Sequence, residues 1–301
     1  GAARFLSGLT AVVEPSEIQV IVNTGDDLEL HGLHISPDLD TITYTLAGVA
    51  DTEQGWGIDK DTFECLGFLS QYSGDTWFRL GDRDLATHIF RTVLLNQGMM
   101  LSEATAVIAE RLGVSSRILP MTDNTVQTYI TTPTERLDFQ TYFVREGARD
   151  TVRKVEFENI ENAQPAPEVV ESLRGARAVI IAPSNPFISI GPILSVPGIR
   201  EALRKTGAPV AAIAPIAARK AFRGPTAKMM AGLGYKVAAS TVAALYQDFL
   251  DYFVLDEQDV DQVASIERIG IRTLTTNIAM TSDNRKKSLA ECTLGMLEKS
   301  I

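Results

Sequence analysis

The chain reads as an α/β protein with a Rossmann-like, doubly wound, mostly parallel sheet and a smaller α+β insertion. Three observations predict this. Short β-branched runs recur along the sequence, helical patterns separate most of them, and a middle stretch carries strand-like residues with no helices between. Its 301 residues, 45% hydrophobic and 22% charged, suffice for one large or two modest cores.

The sequence opens GAARFLSGLT, where small residues lead into the helical pattern of Phe5, Leu6 and Leu9. This reads either as a plain helix start or as the second half of a strand, Gly loop and helix unit, whose first backbone N–H groups suit a phosphate. Residues 18–22 (IQVIV), 178–182 (AVIIA), 210–214 (VAAIA) and 252–255 (YFVL) are short enough and apolar enough for buried parallel strands. Helical patterns at 199–205 and 225–233 lie among them. Residues 101–112 form an amphipathic helix, whereas 127–132, 137–144 and 152–158 read as antiparallel strands. The expected division is therefore residues 1–95 and 166–301 as a Rossmann-like domain carrying the active site, with 96–165 as the smaller α+β part.

Charge and cysteine content narrow the function. A net charge of −10 argues against a dominant electrostatic role on nucleic acid or anionic membrane, although a local basic groove can still hold phosphates. No apolar run reaches the length of a membrane span and no basic leader is seen, so a cytoplasmic protein is expected. Cys65 and Cys292 are far apart and have no zinc-spaced partners, which predicts two buried free thiols.

The polar chemistry gathers directly after the expected buried strands, where open α/β sheets bind ligands. NTGDDLELHGLHISPDLDT, residues 23–41, holds four Asp, one Glu and two of the three His. Pro37 favours a turn or helix start, in which Asp38 and Asp40 can converge on a metal; oxygen-only ligands suit Mg²⁺ or Mn²⁺. Read locally, the same acids simply cap a helix. Asp26 and Asp27 suit a turn after Gly25, and His31 and His34, flanking Gly32, are poor zinc ligands without a third donor. WFRLGDRDLATH, residues 77–88, sets Arg79, Arg83 and His88 beside Asp82 and Asp84, which also fits a salt-bridged surface. APSNPFISIGPIL, residues 182–194, exposes Ser184, Asn185 and Ser189 at a strand end. KAFRGPTAK, residues 220–228, offers Lys220, Arg223 and Lys228 to a phosphate or to water.

Taken together, NTGDDLELHGLHISPDLDTITYTLAG, GWGIDKDTF, LGDRDLATH and APSNPFISIGPIL resemble the 2-phospho-L-lactate transferase family of coenzyme F420 biosynthesis. The match runs over most of the chain in the expected order. The resemblance implies a Mg²⁺-dependent transferase, working as a homodimer between a guanylyltransferase and a glutamate ligase. It moves a phospho-acid, derived from 2-phospholactate, phosphoenolpyruvate or 3-phosphoglycerate, from a GDP-activated donor to the ribityl hydroxyl of the deazaflavin Fo, and GMP leaves. Carried over residue by residue, it implies Fo binding by Asp40 and Arg79, with His31 beside them. Asp38 and Asp40 are then the metal ligands, Asp40 and Asp27 the catalytic acids, and Gly1, Ala2, Ser184, Asn185 and Arg223 the nucleotide and phosphate contacts.

One departure is visible. Relatives are expected to begin with a strand and a G-G-x-G-G-A loop, of which only GAARFL is present; if the working protein lacks that strand, a central sheet position is empty and the phosphate cradle incomplete, and the start is expected instead to lie upstream. Intact mass tests that start. Two other readings fit the fold class. A nucleotide-sugar-binding regulator of similar fold carries DDGGSSG where this sequence has DDLELHG, and an NAD(P)-dependent oxidoreductase requires a complete Gly loop.

Overall fold

The computed structural model describes residues 1–72, 74, 76–218, 220–221 and 224–298. Helix α1 (Ala2–Leu9) turns Phe5 and Leu6 into the core and precedes strand β1 (Gln19–Val22). A hairpin of β2 (Leu28–Leu30) and β3 (Leu33–Ile35) follows, its two-residue turn made by His31 and Gly32 at positive φ. Helices α2 (Pro37–Leu46), α3 (Glu64–Tyr72), α4 (Asp82–Asn96) and α5 (Leu101–Arg111) come next. Strand β4 (Arg117–Pro120) then pairs parallel with β1.

Strands β5 (Gln127–Thr131), β6 (Arg136–Asp138) and β7 (Lys154–Glu158) make a separate antiparallel sheet ordered β6-β5-β7. Within residues 96–165, then, α5 and β4 pack with the parallel part, and the antiparallel sheet spans only 127–158. The expected strand over 137–144 is corrected: extended backbone stops at Asp138, and Thr141–Arg145 is helical. Asp138 Oδ1 accepts from Thr141 N at 2.9 Å, and Phe139 stacks on Phe143, four residues on, a helical spacing.

The remainder alternates as expected. It runs α6 (Val169–Gly175), β8 (Val179–Ile181), α7 (Ile190–Ser195), α8 (Ile199–Lys205) and β9 (Val210–Ile213). A small ribbon, β10 (Ile216–Ala217) with β11 (Lys220–Ala221), leads to α9 (Thr226–Gly232), α10 (Ala239–Leu245) and β12 (Tyr252–Asp256). The chain closes with α11 (Val263–Glu267), β13 (Arg272–Thr276) and α12 (Asp283–Glu298). All neighbours in the sheet β13-β12-β9-β8 are parallel, and β9 and β12 are buried along their whole length, which is why their sequences are apolar without alternation.

Two parallel edges face one another. β1 and β8 line opposite sides of a cavity of about 1740 Å³, and no strand lies between them among the described residues. The edges are tied at both ends. Asn23 Nδ2, just past β1, donates to Ile188 O beyond β8 at 3.2 Å, and Gln19 at the start of β1 bonds Ser172 of α6. The two strands therefore point the same way, and helix α1, packed on α12 and α2, bridges the gap. Both cysteines are exposed, which corrects the expectation of buried thiols: Cys65 is on α3, a helix without a buried residue, and Cys292 is on the outer face of α12.

Candidate active site

Strand β1 delivers residues 23–27 to the carboxyl end of the sheet, and this loop is buried despite its polarity. Its hub is Asn23. The Asn23 amide donates to Asp26 Oδ2 and to Asp38 Oδ2, both at 3.0 Å, so one side chain holds the first turn of α2 and the β1 loop together. Gly25 makes the approach possible: a Cβ there would sit 2.8 Å from Thr128 Oγ1, while Gly25 O accepts from Thr128 N at 2.7 Å. Gln140 donates to Asp26 O at 3.0 Å, so the antiparallel part roofs the loop.

Charge in this roofed loop is costly. Asp26 is held well above the usual carboxylate range by burial first and by the charge of Asp38 second. Asp38 is raised too, by burial and then by Asp27 against the opposing Asn23 bond. Asp27 rises through burial, although His34 Nε2 at 3.1 Å and Ser36 Oγ at 2.6 Å favour its anion. Burial pulls His34 down, but its bonds to Asp27 and to exposed Glu29, 2.9 Å from Nδ1, outweigh that and raise it. Among the described residues, Asp26 Oδ1 and Asp27 Oδ1 are buried without a hydrogen-bond partner, and besides Asn23 the Thr128 hydroxyl turns towards Asp26.

Asp38 and Asp40 share the first turn of α2 but do not meet, because two residues on a helix diverge by about 200°. Asp40 points the other way, into a second buried cluster. Arg91 Nη1 donates to Asp40 Oδ2 at 3.1 Å and Nη2 bonds Oδ1; His88 Nδ1 lies 3.5 Å from Asp40 and Nε2 3.2 Å from Asp84. Tyr44 donates to Asp84 at 2.7 Å. Asp40, Asp84 and His88 are close enough to share an ion. Chemically the cluster is a poor cation site, since the Arg91 guanidinium already occupies both Asp40 oxygens and would repel a second charge.

The other expected residues scatter. Arg79 is exposed, stacked 4.3 Å over the Phe63 ring, and His31 is exposed at the hairpin tip. Gly1, Ala2 and Ser184 line the cavity together with Asn23 and Asp38, and Gly1 packs directly on Pro183 O. Asn185 is spent on its own loop, its Oδ1 accepting from Phe187 N at 2.9 Å and its Nδ2 facing Met229 Sδ at 3.4 Å. Lys228 bonds the carbonyls of Ala148 and Arg149, not open space. Arg223 lies outside the described residues. Asn23 and Arg91 were not singled out in sequence. Asn23 had a usable signal, a polar amide directly after a buried strand; Arg91, three residues from His88, looked like any surface helix cation.

Comparisons with known proteins agree over nearly the whole chain. A family model described as "2-phospho-L-lactate transferase CofD" matches residues 1–291. A "2-phospho-L-lactate transferase" of Methanosarcina mazei is 38% identical, with 97% of this chain and 95% of that protein aligned. A "Phosphoenolpyruvate transferase" of Streptomyces griseus is 40% identical over 99% of this chain and 96% of its own length. A crystal structure of a UPF0052 family member from Bacillus halodurans superposes with a TM-score of 0.66 at 16% identity, covering 98% of this chain and 95% of that one, which shows a shared fold.

Proposed function

The chain belongs to the 2-phospho-L-lactate transferase CofD family, and from that premise we propose that it is a transferase of coenzyme F420 biosynthesis. It moves the phospho-acid of a GDP-activated donor onto the ribityl hydroxyl of Fo. The hydroxyl oxygen bonds to the phosphorus bearing the acid, the bond from that phosphorus to GMP breaks, and the hydroxyl proton passes to a base. The family match over residues 1–291 carries this reading. It favours the enzyme over the regulator, whose loop signature the sequence lacks.

The acids fit Mg²⁺, though in a different pairing from Asp38 with Asp40. Asp26 and Asp38 are oxygen donors tied to one amide; both are raised first by burial, Asp26 also by the charge of Asp38 and Asp38 by that of Asp27, and Asp26 Oδ1 has no hydrogen bond among the described residues. A bound Mg²⁺ would supply positive charge to the donor diphosphate. Asn23 keeps the two carboxylates in register. Asp27 accepts the ribityl proton at its unpartnered Oδ1, and His34 leads from its other oxygen towards Glu29 and solvent. Gly1, Ala2 and Ser184 take the donor phosphates near the start of α1, and Arg79 holds Fo. Asp40 orients the turn carrying Asp38 through its pair with Arg91.

One competition assay tests the proposal. Purified protein is incubated with Fo, Mg²⁺, GTP, a guanylyltransferase and equal 2-phospholactate, phosphoenolpyruvate and 3-phosphoglycerate. A new deazaflavin product in the mass spectrum supports it, and the mass names the acid, which relatives named for two different acids at 38% and 40% identity leave to experiment. No product, while a known transferase works in the same mixture, would sink the proposal. A homodimer is tested by light scattering, with twice the 32.7 kDa chain mass expected.

A further inference from the structure

After α2 the chain makes a closed loop with one large aromatic side chain at its tip. Ala50 and Ile58 bridge its base, Asp51 N donates to Gly57 O at 3.1 Å, and Gly55 N donates to Asp51 O at 2.9 Å. The Asp51 carboxylate accepts from Glu53 N and Gln54 N, both at 2.9 Å. Backbone polar groups are thus satisfied inside the loop, which holds its shape without a core of its own. At its tip, Gly55 and Gly57 both adopt positive φ, and Trp56 stands between them with 38% of its surface exposed.

That indole lines the same cavity as Asn23, Asp38, Gly1 and Ser184. The other aromatic ring of the cavity wall among the described residues, Phe5, is buried at 2% in the core, so Trp56 is the one available to a ligand. A large aromatic surface left open on a pinned loop costs solvation, and a planar π-system laid on it recovers that cost. Both substrates of the proposed reaction carry such a ring.

We infer that Trp56 is a stacking platform for a planar heteroaromatic ring, either the guanine of the donor or the deazaflavin of Fo, and so a residue that sets substrate affinity at this site. The inference rests on the transferase reading for the identity of the two rings. Stacking of a base on an aromatic side chain is worth about tenfold or more in affinity by alanine substitution.

The chain has two tryptophans, Trp56 and Trp77, so Trp77→Phe leaves Trp56 as the only indole emitter. Its emission is titrated with GDP in one arm and with Fo in the other. Saturable quenching in one arm supports the inference and names the ring; no quenching in either overturns it. Independently of that variant, Trp56→Ala should raise KM for the same substrate about tenfold with kcat nearly kept, and Trp56→Phe should restore most of the loss. Unchanged KM in Trp56→Ala, with wild-type protein turning over, removes Trp56 from the site and leaves the transferase standing. Absence of wild-type product sinks the transferase reading, while the titration still decides whether the indole stacks a ring.

Discussion

Asp40 and Asp26 stand in buried settings of opposite kind. Asp40 has its counter-charge in contact, so removing one partner strands the other: Asp40→Asn or Arg91→Met alone should cost about 3–5 kcal/mol. The double change Asp40→Leu with Arg91→Met should recover most of that loss in denaturant unfolding, and additive losses would refute the coupling. Asp26 has like charge nearby and a carboxyl raised above its ordinary value of 3.8. The folded state then binds that proton more tightly than the unfolded chain. Stability from this group is full in acid and falls as pH rises through the raised value. Asp26→Asn should therefore raise Tm at pH 7.5 without metal. Mg²⁺ should raise the Tm of the wild type, more at pH 7.5 than at pH 5, and should raise that of Asp26→Asn far less. A metal-independent Tm in the wild type would contradict the assignment. Asp26 was visible in the sequence as an acid in a turn; its neighbour was not, because the sharing of the Asn23 amide with Asp38 depends on how α2 returns to β1.

Among the elements, helices α3 and α4 cap one another. Asp82, the first residue of α4, accepts from Glu64 N and Cys65 N at the start of α3, and Asp61, just before α3, accepts from Arg83 N and Asp84 N at the start of α4. The Asp61 carboxylate lies where a Cβ on Gly81 would be. Asp61→Ala should cost about 1 kcal/mol, and Gly81→Ala should displace the same cap with a comparable loss of Tm. Equal stability of both variants with wild type would show that the caps are idle. The LGDRD motif was legible as a charged helix start; the exchange of caps was not, since neither acid lies within capping range of its partner along the chain. The 137–144 segment failed for a related reason. Its alternating aromatics suit a strand, but the Asp138 turn and the Phe139 to Phe143 stack made a helical turn the better way to bury Tyr142.

At the scale of the molecule, the opposed edges of β1 and β8 are the open feature. Both strands line the cavity, and α1 begins just beyond the carboxyl end of β8, where Gly1 packs on Pro183 O. By itself the sequence determined the α/β class, the buried parallel strands and the loops at which chemistry gathers, because periodicity, β-branching and turn residues act over a few positions. Only the tertiary structure decided that Asp38 shares the Asn23 amide with Asp26 while Asp40 pairs with Arg91, and that Trp56 reaches the cavity wall. Those outcomes depend on which helix face meets which strand end, and the burial and charge that result are properties of the packed whole.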